Sequence, residues 1–204
     1  MLKQDRKLKN TQNSIGSILT ILPLSPNQWT VLSLLIAIIG GYIIAIKSDL
    51  ILGLLFFALA AAVDAIDGAV ARARNQVSNL GGFIDGLVDR FVEAIFLFSL
   101  MFYPLPTIFV DANIWLAGVI FLGTCMPSFV RAYADHKGII SREKALALGG
   151  ICERSERLII VIVGLVVGIS YSLEFFIYSL MLVILLSLIT ILQRLFFIYK
   201  NTRV

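Results

Sequence analysis

Four aspartates crowd one stretch of the chain, VDAIDGAVARARNQVSNLGGFIDGLVDRF. Carboxylates set among apolar residues are costly to keep and mark function by default. On a helix, Asp64, Gly68 and Arg72 recur every fourth residue and share a face, with Asp67 and Ala71 beside it. Gly81, Asp85 and Asp89 form a second such row. Folding the two helices antiparallel about the polar break Asn75–Ser78 brings Asp64 level with Asp89, Asp67 with Asp85, and Arg72 with Gly81. Four carboxylates so close in low dielectric repel one another unless cations neutralise them, and Arg72 alone cannot balance them. Hard divalent cations with oxygen ligands, Mg2+ or Mn2+, answer that need. Gly68, Ala71, Gly81, Gly82 and Gly86 keep the lining shallow enough for a bulky anion to approach the ions and Arg72. Gly86 could equally serve close helix packing.

Membrane helices must carry these rows. The chain has 204 residues, 59% hydrophobic and 15% charged, with mean hydropathy +0.93. Soluble domains run at about 45–50% apolar and about a quarter charged, so an ordinary water-soluble fold is excluded. Two cysteines and five prolines exclude a disulfide-stapled module and a collagen-like rod. Apolar runs fall at Trp29–Ile46, Leu50–Val63, Phe91–Phe102, Ile114–Val130, Leu158–Leu173 and Phe175–Leu192. At roughly 20 residues per span, the expectation is an all-α polytopic membrane protein with six transmembrane helices. Several runs are shorter than a span, and the first three extend into the flanks that carry the motifs.

Six spans put the N-terminus, the segments near 72–80 and 131–157, and the C-terminus on one side, with nearly all the lysines and arginines. The other side keeps only Lys47, so the positive-inside rule places both termini and the mouth of the aspartate site in the cytosol. Residues 1–26 read as a juxtamembrane segment with an amphipathic helix over Ile15–Leu24, which is too short and interrupted to span and lacks the small-residue cleavage site of a signal peptide. Pro23 and Pro26 end it, and Ser25 or Asn27 could cap the first span. Residues 27–204 form the six-helix core of a single domain, 1–204.

Cys125 and Cys152 lack paired spacing, and His136 alone satisfies no metal site and reads as a loop residue. Arg131, Arg157 and Arg194 come from three helices on the cytosolic side and could converge on a phosphate, although any one could instead be a snorkelling anchor. Glu93, one turn past Asp89, reads as a buried hydrogen-bonding residue. Gly164-x-x-x-Gly168 fits either internal helix packing or a dimer face.

The run from Asp64 to Asp89, D-x-x-D-G-x-x-A-R-x8-G-x3-D-x3-D, resembles the signature of the CDP-alcohol phosphotransferases. Six spans behind a juxtamembrane helix extend the likeness over nearly the whole chain. The resemblance implies an enzyme that moves a phosphoalcohol from a CDP-alcohol to a hydroxyl and releases CMP. It implies that Asp64, Asp67, Asp85 and Asp89 hold two divalent ions, Mg2+ or Mn2+, and that Asp89 also acts as base. Gly68, Arg72 and Ser78 would bind the CDP-lipid, and Asn27, Gln28 and Thr30 of Pro26-Asn27-Gln28-Trp29-Thr30 resemble the segment that contacts the cytidine phosphate region. Gln28 and Trp29 could equally be a cap and an interfacial tryptophan.

ERSERLII, ending at Ile160, resembles a stretch of the phosphatidylinositol-phosphate and archaetidylinositol-phosphate synthases, whose acceptor is inositol 1-phosphate. Arg131, Arg157 and Arg194 match the basic pocket for its phosphate. Tyr133 stands where that branch usually has a second basic residue, and the loop around His136–Arg142 is a few residues longer.

The expected partners are a CDP-linked lipid, a phosphorylated polyol, the bilayer and a second copy in a homodimer, with no nucleic acid. The rivals are a same-family enzyme acting on glycerol 3-phosphate, a prenyltransferase, and a cation or proton transporter. Prenyltransferase motifs lack the G-x-x-A-R continuation. A transporter needs a polar route through Leu50–Val63 and Ala94–Phe102, which are almost unbroken apolar residues.

Overall fold

A computed structural model describes residues 24–202 of the chain, apart from positions 75 and 77 and the side chain of Asp67. The amphipathic helix expected over Ile15–Leu24 lies, but for its last residue, outside the described residues. Those residues are helical with no strand among them, and they divide into two compact units, Met1–Tyr103 and Pro104–Val204.

The first unit holds α1 (Pro26–Lys47), α2 (Leu50–Ala73) and α3 (Asn79–Leu100). Ser25 caps α1 in a capping box, its hydroxyl accepting from the Gln28 N–H while Gln28 Oε1 accepts from the Ser25 N–H at 2.7 Å. This satisfies two backbone donors that a helix start would leave orphaned. Ser48 ends α1 in a left-handed conformation (φ 53°), and Asp49 caps α2 by accepting from Leu52 N at 2.9 Å.

α1 is the common wall of this unit. It packs on both α2 and α3, which meet each other at fewer points. Two adjacent glycines make this possible. A Cβ on Gly40 would lie 3.0 Å from Phe56 Cβ of α2, and one on Gly41 would lie 2.8 Å from Ile95 Cγ2 of α3. With no water between them to expel, membrane helices gain contact by such close approach. Trp29, Val63 and Val70 form a cluster that seats the aspartate-bearing half of α2 against the start of α1.

The second unit holds α4 (Ala112–His136), the short α5 (Arg142–Leu146), α6 (Arg154–Ser170) and α7 (Glu174–Asn201). Both α4 and α6 pack against α7. Gly164 faces Ser179, and a Cβ on Gly168 would lie 3.1 Å from Phe176 Cβ, so the Gly164-x-x-x-Gly168 motif packs α6 on α7 within the chain. His136, expected in a loop, is the last residue of α4, and the loop over 137–141 leads into α5, which is seated by Ala134, Ile140, Ala145 and Leu148 against Phe197 and Ile198.

Each of the six apolar runs has a helix of its own, although Phe91–Phe102 and Leu158–Leu173 run past the ends of α3 at Leu100 and of α6 at Ser170. Four helices, α1, α2, α4 and α7, are long and apolar enough to cross a membrane, and the protein is a membrane protein. The other two fall short for visible reasons: α3 carries Asp85, Asp89, Arg90 and Glu93, and α6 has 17 residues.

Candidate active site

Carboxylate oxygens of Asp64 on α2 and of Asp85 and Asp89 on α3 all lie within 4.8 Å of one another, and each side chain is half-buried. Helical periodicity puts Asp85 and Asp89 one turn apart on one face, and the antiparallel register brings Asp64 opposite them. Phe57 and Phe96, about two turns further along each helix, meet edge to face with centroids 4.9 Å apart, which extends the same register. Oxygen donors so placed suit a hard divalent cation. Asp67 stands on α2 one turn after Asp64.

Around the carboxylates the lining is open. A Cβ on Gly82 or Gly86 would meet nothing within 4 Å, so Gly86 is not a packing glycine here. The Arg72 guanidinium lies over Gly68, where a Cβ would come 3.3 Å from Nη1. Ser78 caps α3 by accepting from Gly81 N at 3.0 Å, and Asn27 Oδ1 reaches the same place, 3.6 Å from a Cβ built on Gly81. The starts of α1 and α3 thus bring Asn27 and Ser78 together. Gln28 is exposed but engaged in the capping box, and buried Thr30 donates from its hydroxyl to Pro26 O at 3.2 Å.

In the second unit, Arg131 and Arg157 lie near enough to Arg194 to act on its charge, as does Glu153. Arg157 and Arg194 are 5% and 6% exposed, so their charged heads do not reach out to water as those of snorkelling anchors do. Arg157 Nη1 donates to Gly123 O at 2.8 Å, and Arg194 donates to Pro127 O and Gly149 O. Cys152 N donates to Thr190 Oγ1 at 2.9 Å and Ile151 N to Gln193 Oε1 at 3.2 Å, which ties the α5–α6 connection to α7. Glu156 begins α6. Backbone N–H groups of that first turn, outweighing its slight burial, hold its carboxyl below the usual range, with the Ser155 hydroxyl adding to the effect.

Residues 23–199 match the sequence model of the CDP-alcohol phosphatidyltransferases. The chain belongs to this family. Among its relatives, the archaetidylinositol phosphate synthase of Pyrococcus horikoshii is 33% identical over 190 residues, covering 93% of this chain and 92% of that protein. The phosphatidylinositol phosphate synthase of Corynebacterium glutamicum is 28% identical, covering 89% and 80%. Crystal structures of the Mycobacterium tuberculosis phosphatidylinositol phosphate synthase share the fold, with a TM-score of 0.76 at 23% identity. One, with manganese and citrate, is covered to 89%, and the other, with CDP-DAG bound, to 94%; each covers 93% of this chain. The protein is therefore a phosphatidyltransferase of phospholipid synthesis, most like the archaetidylinositol and phosphatidylinositol phosphate synthases.

Several side chains at this transferase's sites escape a reading of motif positions alone. Arg90 pairs with Asp89 Oδ2 at 3.7 Å and bends back to Gly86 O at 3.3 Å. Arg74 donates to Leu24 O at 2.7 Å, joining the end of α2 to the chain before α1. Tyr133, in place of a cation, stacks on Phe129 and lies under Lys137 Nζ, which is 5.4 Å from the ring centroid.

Proposed function

We propose that the protein condenses a CDP-linked lipid, CDP-archaeol or CDP-diacylglycerol, with inositol 1-phosphate to give the lipid inositol phosphate and CMP. The observation that carries this reading is the convergence of the Asp64, Asp85 and Asp89 carboxylates within 4.8 Å. The names of the relatives supply the acceptor, and the manganese and CDP-DAG of the solved neighbour support a divalent ion and a CDP-lipid.

Asp64, Asp67, Asp85 and Asp89 would hold two ions, Mg2+ or Mn2+. When bound, such ions offset the charge of the diphosphate and of the transition state. Asp89 takes the proton of the attacking inositol-phosphate hydroxyl. That oxygen attacks the lipid-bearing phosphorus in line, the bond from this phosphorus to the CMP oxygen breaks, and CMP leaves. Arg72, across the shallow lining at Gly68, together with Ser78 and Asn27, contacts the nucleotide phosphates. Gln28 and Thr30 order the start of α1 beside them, with the Gln28 amide NH2 as a further donor. Arg131, Arg157 and Arg194 take the acceptor's phosphate, a task suited to guanidinium forks.

The same reading places the chain as one domain, 1–204, with six spans including α3 and α6, an amphipathic helix before the first, and both termini and the active site in the cytosol. It makes the protein a homodimer whose interface does not use Gly164 and Gly168.

Purified protein supplied with each CDP-lipid and with inositol 1-phosphate or glycerol 3-phosphate tests this. CMP should form fastest with inositol 1-phosphate and stop on chelation of divalent ions. Faster CMP release with glycerol 3-phosphate would reassign the acceptor. Ion flux in liposomes without CMP release would overturn the enzymatic reading.

A further inference from the structure

We propose that Pro127 and Gly123 are positioning residues for the acceptor's phosphate, acting through Arg157 and Arg194. The proposal rests on the acceptor pocket proposed above. In an α-helix the N–H at position 127 would bond the carbonyl of Gly123, but proline has no N–H to give. That carbonyl is taken instead by Arg157 Nη1, reaching from α6 at 2.8 Å. Just ahead the helix is π-helical over Val119–Cys125, and the N–H of Met126 reaches back to Phe121 O. Such single-turn widenings cluster at functional sites because they release and redirect backbone groups. One turn on, the carbonyl of Pro127 itself accepts from Arg194 Nη1 of α7. Gly123 is part of the device, since a Cβ there would lie 2.9 Å from Arg157 Cδ and 3.4 Å from Ser187 Oγ.

The physical need is plain. Arg157 and Arg194 are buried with Arg131 nearby, and like charges in low dielectric push apart and lose preorganisation. Two backbone carbonyl dipoles, fixed in place by a helix irregularity, draw two guanidiniums from two other helices toward one place and set the planes of their forks. The pocket is thereby assembled before the anion arrives, so less of the anion's binding energy goes into ordering side chains.

The test is steady-state CMP release by full-length Pro127→Ala, Gly123→Ala and Arg157→Ala. An N–H at 127 competes for the Gly123 carbonyl, and a methyl at 123 displaces the Arg157 stem. Pro127→Ala and Gly123→Ala should each raise KM for inositol 1-phosphate about tenfold or more, the range of one hydrogen bond to a charged group. KM for the CDP-lipid and the thermal midpoint should stay put. If Pro127→Ala lowers the midpoint, Gly123→Ala, which leaves the proline in place, decides. A parallel rise in both KM values would overturn the proposal. So would an unmoved acceptor KM in these two variants while Arg157→Ala raises it. An acceptor KM unmoved by Arg157→Ala itself would remove the arginine pocket, and this inference with it.

Discussion

Replacing Asp85 with asparagine should make the metal-free protein more stable while abolishing its activity. Three carboxylates lie within 4.8 Å of one another. At an effective dielectric constant of about 20, each ionised pair at that distance costs about 3.5 kcal/mol, so neutralising one member relieves about 7 kcal/mol. The cluster has a cheaper escape, because protonating an ordinary aspartate at pH 7 costs only about 4 kcal/mol. The smaller figure governs, and Asp85→Asn should recover at most about 4 kcal/mol in the absence of divalent ions. Arg90, paired with Asp89 at 3.7 Å, already offsets part of the charge, which lowers the gain further. The assay is thermal unfolding in detergent with chelator and then with Mg2+ or Mn2+. Wild type should gain many degrees from the ion. The variant should start several degrees higher in chelator, gain little from the ion, and release no CMP. A variant no more stable than wild type in chelator, with an undiminished response to the ion, would refute the claim that these carboxylates are held together against repulsion for a cation.

Three further outcomes follow from the same geometry. Asp89→Asn should keep CDP-lipid binding but lose about two to four orders of magnitude in CMP release, measured by lipid binding and single-turnover assays. Gly41→Val should destabilise the first unit by about 1–3 kcal/mol, read by thermal unfolding, because even a Cβ there falls 2.8 Å from Ile95 Cγ2. Gly86→Ala should leave the thermal midpoint unchanged or slightly raised, since a Cβ meets nothing within 4 Å, while raising KM for the CDP-lipid if that open face receives it.

The convergence of Asp64, Asp85 and Asp89 is legible because helical periodicity converts a four-residue repeat into a face, and one polar break fixes the antiparallel register. Phe57 and Phe96 carry the register on past the aspartates. Glu93, expected to be buried, is 2% exposed. Arg90 is not legible in that pattern, because the four-residue repeat from Asp85 to Asp89 skips the neighbour, whose long side chain bends back to Gly86 O. Gly40 and Gly41 carry the only clue that α1 is the central wall, two small residues side by side that face different helices. That clue is weak in a sequence with 15 glycines. Pro127 stood in view within the run Ile114–Val130, and a proline inside a helical pattern always releases a carbonyl. Which side chain takes that carbonyl depends on a helix far off in sequence, and no local pattern encodes it.

The architecture of the first unit also explains why the acidic cluster serves chemistry and not conduction. A Cβ on Gly82 or Gly86, about one turn from Asp85 and Asp89 on α3, would meet open space, and Arg72 and Ser78 are exposed. On the other side the interior is filled. Ala60, Leu97 and Leu100 are each 0–1% exposed, and the Phe57–Phe96 pair closes the gap between α2 and α3. Glu93 is the one ionisable group on that side among the described interior residues, and a single buried carboxylate does not make a relay. A packed apolar interior on that side of the carboxylates offers ions no polar route onward through this unit. Because α2 and α3 meet only sparsely, the three carboxylates are held in register chiefly by the packing of each helix against α1. Repulsion among them can therefore be borne by the scaffold without closing the gap that the substrate needs.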